Sequence, residues 1–103
     1  MRKAEVAVTE LSGDIKAADV VLQGDLIIQN ADELKAKLLN AQSQYLVLNV
    51  ILKNVTRLDV AGIQLLVSLK KSPVTKVDFR IEDNDEFNKW FELAGLKQEF
   101  FKQ

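Results

Sequence analysis

The sequence contains no cysteine and no histidine, and it has one proline and four glycines in 103 residues. Without cysteine it can form neither a disulfide framework nor a thiolate nucleophile, and without histidine it lacks the commonest general base and metal ligand. Lysine and arginine number 14 and aspartate and glutamate 15, so the net charge of -1 gives no general attraction to nucleic acid or to an anionic membrane. The sequence therefore predicts no metal, no cofactor and no nucleic-acid partner.

Long hydrophobic runs are also missing. No apolar stretch reaches the roughly 18 residues that a membrane-spanning helix needs. The first six residues turn polar before a signal-peptide core could form. We therefore expect a cytoplasmic protein without direct membrane insertion. A composition of 48% hydrophobic and 28% charged residues is typical of one globular domain, and a single domain over residues 1–103 is predicted.

The hydrophobic pattern changes several times between a strand period and a helix period. Alternating or continuous apolar runs predict strands over residues 4–9, 19–28, 45–52 and 76–81, the second interrupted at Gly24 by a bulge or close backbone approach. The third run is almost entirely apolar, which is typical of a central strand covered on both faces. Helices are predicted after the second, third and fourth strands. This order predicts an α/β domain in which amphipathic helices pack on a four-stranded, mostly parallel or mixed sheet.

Helix starts are indicated by three short polar sequences. Asn30 precedes Glu33 in a capping arrangement, so we expect its side chain to accept from the first-turn amides, and Glu33 can pair with Lys37 one turn later. Asp59 can cap the second helix, which Pro73 ends. The acidic run 83–86 precedes a third helix with an aromatic face over residues 87–94 and Gly95 as its C-terminal cap.

The segment Val55-Thr56-Arg57-Leu58-Asp59-Val60-Ala61-Gly62-Ile63-Gln64-Leu65-Leu66 resembles the signature of STAS domains, in which a strand delivers Asp-Ser-Ser-Gly or a variant into a leucine-rich helix. Three further stretches follow the order of that family: residues 22–26 resemble its Gly-Glu-Leu turn, 30–38 its first helix and 91–96 its closing helix. Together they cover nearly the whole chain. The resemblance implies the fold of bacterial anti-sigma-factor antagonists and a role in protein docking.

The chain departs from the family pattern at the serine that an anti-sigma kinase phosphorylates in some members. In phosphorylated members the acceptor is the serine directly before the glycine, which is Ala61 here, and the preceding serine is Val60. Neither side chain has a hydroxyl group, so the resemblance implies a member that cannot be switched at this loop. A second departure is Ile51, where many relatives carry aspartate or asparagine. Either Ile51 replaces that residue, or Asn49 does so with a two-residue insertion.

Several residues can be interpreted either as structural or as functional. Asp59 could be a catalytic carboxylate, but a lone aspartate at a helix start is far more often a cap. Hydroxyl groups at Thr56 and Ser68 fit a strand end and a polar helical stripe better than phosphorylation sites. The cluster Asp83, Asp85 and Glu86 lacks the spacing of a calcium loop and fits the helix dipole. The aromatic residues Phe87, Trp90 and Phe91 have the helical spacing of a core face, and Phe100 and Phe101 could close the core or mediate self-association.

The leading hypothesis is a protein-interaction module of signal transduction and not an enzyme. The resemblance implies an anti-sigma or histidine-type kinase, a phosphatase or a chemotaxis protein as partner, and a homodimer is possible. The alternative is an accessory subunit of a phospholipid-transport ABC system that binds its ATPase. The candidate partner-binding residues are Gly24, Asp25, Asp59, Val60, Ala61, Gly62, Gln64, Ser68 and Lys71.

Overall fold

A computed structural model describes residues 3–82 and Lys89. The elements in chain order are strand β1 (Glu5–Leu11), strand β2 (Ala17–Leu26), one turn of 3-10 helix (Ile28–Asn30), helix α1 (Ala31–Gln44), strand β3 (Val47–Leu58), helix α2 (Val60–Lys70) and strand β4 (Lys76–Glu82). The capping run 83–86, the third helix and the two terminal phenylalanines lie outside the described residues, apart from Lys89.

The four strands form one mixed sheet in the order β1-β2-β3-β4. β1 is antiparallel to β2, whereas β2, β3 and β4 are parallel and are connected through α1 and α2. This confirms the predicted α/β class and the inner position of β3. Because the carboxyl ends of parallel strands meet at one edge of a sheet, the segments that follow β2 and β3 are brought together there.

One face of the sheet carries the hydrophobic core in registered layers. Ala18, Leu48 and Val77 pair across β2, β3 and β4, and Val20, Val50 and Phe79 form the next layer; all six are buried. α1 adds Leu34, Leu38 and Ala41 to this core, and α2 adds Leu66 and Leu69. The helical spacing predicts Ala31, Leu34, Leu38 and Ala41 as the buried face of α1, and all but the half-buried Ala31 are buried. For α2 the spacing predicts Ile63, Leu66, Val67 and Lys70; Leu66 is buried and the other three are half-buried, whereas Leu69 is buried without having been predicted.

The opposite face of β3 is only partly covered. Val47 and Asn49 are half-buried there, while Ile51 is buried with 5% of its surface exposed. Coverage on both faces was expected from the apolar run, and the structure shows it fully only at Ile51.

Several predicted details were wrong. β1 spans residues 5–11 and not 4–9, and β3 begins at residue 47 and not 45. β2 begins two residues earlier than predicted and ends at Leu26, so Ile28 belongs to the 3-10 turn. β3 continues to Leu58, six residues past the predicted end. Asn30 occupies the N-cap position of α1, but its side chain does not accept from the helix; its Nδ2 instead donates to the Asp25 carbonyl oxygen at 2.8 Å. The amide is satisfied better by the buried turn than by the helix start.

Other local predictions are confirmed. Lys37 lies 3.1 Å from the Glu33 carboxylate, and the hydrogen bond from Lys37 lowers the pKa of Glu33 below its ordinary value. Gly24 has a φ of 88° and lies where the pairing between β2 and β3 shifts register. A Cβ atom at this position would overlap the carbonyl oxygen of Lys3. Gly24 therefore provides both the irregularity and the close backbone approach that were predicted.

Candidate functional site

Asp59 joins the two segments that meet at the carboxyl edge of the sheet. Its Oδ1 accepts from the backbone N–H of Gly62 at 3.0 Å, which is the N-cap bond of α2, and its Oδ2 accepts from the N–H of Ile28 at 2.9 Å. The cap role favoured from sequence is confirmed. One carboxylate therefore fixes the start of α2 and the segment that follows β2 relative to each other.

Two opposing effects act on the acidity of this carboxyl group. Desolvation raises the pKa of Asp59, but the backbone N–H groups of Ile28, Gly62 and Ala61 stabilise the charged form and leave the pKa below its ordinary value. The carboxylate is therefore ionised at neutral pH. Its two oxygens both accept backbone hydrogen bonds, which is the arrangement of a structural anchor.

Gly62 allows the start of α2 to lie against the end of β2. A Cβ atom there would overlap the carbonyl oxygen of Leu26 and crowd the side chain of Leu58. The N–H of Asp59 donates to the same Leu26 carbonyl at 3.3 Å. Glycine is thus required at this position for close packing of helix on strand.

Asp25 lies beneath the surface with 2% of its area exposed. The hydroxyl group of Thr56 donates to its Oδ1, and an Arg57 guanidinium nitrogen lies 3.9 Å from its Oδ2. Gly24 is buried as well. These two residues of the predicted partner-binding set are close to Asp59 along the sheet edge. Because both are buried, they can stabilise the surface but do not form part of it.

The exposed part of this edge is apolar. Ile28 has 65% of its surface exposed and Val60 has 67%, and both adjoin Asp59, Ile28 through the hydrogen bond and Val60 through the chain. Ala61 is half-buried beside them. Sequence reasoning missed Ile28 because the apolar run placed it in a strand. Its exposure depends on β2 ending at Leu26, which the alternation of residue types does not reveal.

The three candidate partner-binding residues in and after α2 lie at increasing distance from Asp59. Gln64, Ser68 and Lys71 are all exposed. At a rise of about 1.5 Å per residue, Lys71 lies roughly 16 Å along the helix axis from Val60, near the amino ends of the parallel strands. The structure thus brings Gln64 near Asp59 and places Lys71 at the opposite end of the sheet.

No group of three or more metal-ligating side chains occurs among residues 3–82, and the acidic cluster 83–86 lies outside the described range. In the same range, no helix is both long enough and apolar enough to span a bilayer.

The architecture is similar to that of several solved structures. An anti-sigma factor antagonist from Mycobacterium paratuberculosis matches with a TM-score of 0.75 at 16% identity, covering 98% of this chain and 87% of its own. The anti-sigma factor antagonist SpoIIAA in its unphosphorylated form matches with a TM-score of 0.62 at 14% identity, covering 92% of this chain and 86% of its own. The phosphorylated form of the Bacillus cell fate determinant SpoIIAA matches with a TM-score of 0.59 at 15% identity, covering 92% of this chain and 89% of its own. These TM-scores show a shared fold.

No curated protein matches the chain in sequence. The sequence model of the STAS domain matches residues 6–102, which is almost the whole chain. The match includes the Asp59–Gly62 segment whose geometry anchors the site. The chain belongs to the STAS domain family.

Proposed function

We propose that this chain is a protein-docking module of bacterial signal transduction, similar in role to anti-sigma-factor antagonists, and that it binds its partner through Ile28, Val60 and the surrounding loop. The observation that carries this proposal is the exposure of two aliphatic side chains on backbone held by Asp59. Burial of exposed aliphatic side chains contributes hydrophobic free energy to a contact, and backbone that is already held in place loses less conformational entropy on binding.

Polar groups around the two aliphatic side chains would provide the rim of such a contact. The Arg57 side chain is 64% exposed, while Gln29 and Asp32 are exposed on the neighbouring turn and helix start. An apolar centre within a polar rim is the usual organisation of a protein interface. Gln64 extends this surface along α2, and Gly24 and Asp25 hold it in place from within.

Docking through this loop would not depend on its phosphorylation. Val60 and Ala61 have no hydroxyl group, and the nearby Thr56 hydroxyl is engaged by the Asp25 carboxylate. We therefore propose a permanently competent binding surface in a cytoplasmic protein that acts by association and has no catalytic turnover. An anti-sigma kinase, a phosphatase or a chemotaxis protein is the expected class of partner.

Affinity capture from native cells followed by mass spectrometry tests the proposal. The wild-type protein is compared with an Ile28→Ser/Val60→Ser variant and with Leu39→Ser, which changes an exposed aliphatic residue on α1. The partner should be retained by the wild type and the control and lost with the double variant. In calorimetry with the purified partner we expect a loss of roughly tenfold per anchor. Equal capture by all three proteins would move the docking site elsewhere, and recovery of a transport ATPase would favour the ABC-subunit alternative.

A further inference from the structure

A second exposed apolar surface lies at the end of the sheet opposite Asp59. We define the basal rim as residues 12–16, 45–46 and 71–76, which are the loops that precede β2, β3 and β4 together with Lys76, the first residue of β4. Each loop carries one aliphatic residue with more than half of its surface exposed: Ile15 with 60%, Leu46 with 52% and Val74 with 74%. The proposed docking function does not use any of these three residues.

Backbone hydrogen bonds fix the three loops beside one another. The N–H of Leu46 donates to the Lys16 carbonyl oxygen at 2.8 Å, and the N–H of Lys76 donates to the Leu46 carbonyl oxygen at 2.8 Å. The Thr75 hydroxyl, which is buried, also bridges to the Tyr45 carbonyl oxygen at 3.1 Å. Since adjacent strands are about 4.8 Å apart, the loops that carry the three aliphatic residues lie side by side at one end of the molecule.

The rim differs from the whole chain in charge. It contains three exposed lysines, Lys16, Lys71 and Lys76, and one aspartate, Asp14, so three positive charges and one negative charge give +2, whereas the chain carries -1. Glu10 lies close by and accepts a hydrogen bond from the Tyr45 hydroxyl group at 3.2 Å. The excess of lysine around projecting aliphatic groups indicates an anionic and partly apolar binding partner.

We propose that the basal rim is a peripheral contact site for an anionic lipid bilayer. Ile15, Leu46 and Val74 would enter the boundary between headgroups and acyl chains, while the lysines would approach the lipid phosphates. A second copy of the chain fits less well, because a two-fold contact would oppose two surfaces of charge +2. This contact requires no spanning helix, and it leaves the Asp59 end of the sheet free.

Vesicle sedimentation tests the proposal with the purified protein. We expect more protein to sediment with vesicles of phosphatidylcholine and phosphatidylglycerol, about 3:1, than with phosphatidylcholine alone. The variant Ile15→Ser/Leu46→Ser/Val74→Ser should lose this binding, whereas Val8→Ser, an exposed aliphatic change in the middle of β1, should keep it. Lys76→Gln should lower the partition coefficient about fivefold, and Lys35→Gln on α1 should leave it unchanged.

Melting curves for every variant separate loss of binding from loss of fold. Wild-type protein that stays in the supernatant with both vesicle compositions, or that binds them equally, would overturn the proposal. So would light scattering that shows a dimer for the wild type and a monomer for the triple serine variant, because the rim would then bind a second copy. None of these results depends on the partner that docks at Ile28 and Val60.

Discussion

At the scale of single residues, the Asp59 carboxylate contributes more than an ordinary helix cap. It bonds Gly62 three positions later and Ile28 across a separation of 31 residues. The second bond carries the functional consequence, because it positions the exposed Ile28 beside Val60. Stability and the shape of the proposed docking surface are therefore linked through one side chain.

Replacement of Asp59 by alanine should lower the free energy of unfolding by about 1–3.5 kcal/mol. Loss of an N-cap costs roughly 0.5–2 kcal/mol and loss of a further hydrogen bond about 0.5–1.5 kcal/mol. Urea denaturation at neutral pH measures the difference. A matched change, Asp32→Ala, removes an exposed carboxylate from the first turn of α1 and should cost less.

The cost of Asp59→Ala should depend on pH. The pKa of Asp59 in the folded protein lies below its ordinary value of 3.8, so the folded state binds this proton less readily than the unfolded chain. The stabilisation is complete above about pH 4 and is lost as the pH falls through the lower folded pKa. Unfolding midpoints of the two proteins should converge in acid. A gap that stays constant down to about pH 2 would contradict the assigned hydrogen bonds.

Gly62→Ala tests which of two opposite effects is larger. In a helix, alanine is favoured over glycine by about 1 kcal/mol, whereas an atom that overlaps packed backbone typically costs about 1–3 kcal/mol or more. Because the overlap is with the Leu26 carbonyl oxygen, which cannot rotate away, we expect net destabilisation. Ser68→Ala on the exposed side of α2 should instead be neutral or slightly stabilising. A higher melting temperature for Gly62→Ala would show that α2 can shift without loss.

At the scale of elements, β3 shows where the sequence pattern stops being informative. Leu22 of β2 pairs with Leu52 of β3, and Asp25 pairs with Arg57. Between these two pairs β2 advances by three residues and β3 by five. The two additional residues disturb the alternation, and Asn54 adopts a φ of 53° within the strand. The extension of β3 to Leu58 follows from pairing with β2, which periodicity alone cannot predict.

Helix α2, by contrast, was predictable in its start after Asp59 and in the burial of Leu66, although it ends at Lys70, three residues before Pro73. Leu66 has 1% of its surface exposed and belongs to the core beneath the helix. Leu66→Ala should therefore lower the free energy of unfolding by about 2–5 kcal/mol, a large share of a total of roughly 5–15 kcal/mol. The control is Leu39→Ala, an exposed leucine of α1. An unchanged denaturation midpoint for Leu66→Ala would remove this residue from the core.

At the scale of the whole molecule, the parallel strands separate two surfaces. The loops after β2 and β3 form the Asp59 site, and the loops before β2, β3 and β4 form the basal rim. The motif around Asp59 could be located from sequence because its residue types are specific. The rim could not, since Ile15, Leu46 and Val74 are far apart along the chain and their loops are brought side by side only by the pairing of the strands.

Ala61→Glu should weaken binding of the partner at the Asp59 site without affecting binding of vesicles at the basal rim. The new carboxylate enters the first turn of α2, where the helix dipole favours negative charge by about 0.3–1 kcal/mol, so the fold should be retained. A partner that packs on Ile28 and Val60 would have to desolvate this charge without pairing it, at a cost of about 1–3 kcal/mol, or roughly tenfold to hundredfold in affinity. Binding to anionic vesicles should hardly change, because the carboxylate lies at the other end of the sheet.

Ala36→Glu on the exposed face of α1 controls for net charge. Calorimetry with the partner, vesicle sedimentation and a melting curve measure the three effects separately. Unchanged partner affinity in a folded Ala61→Glu protein would exclude this loop as the docking site.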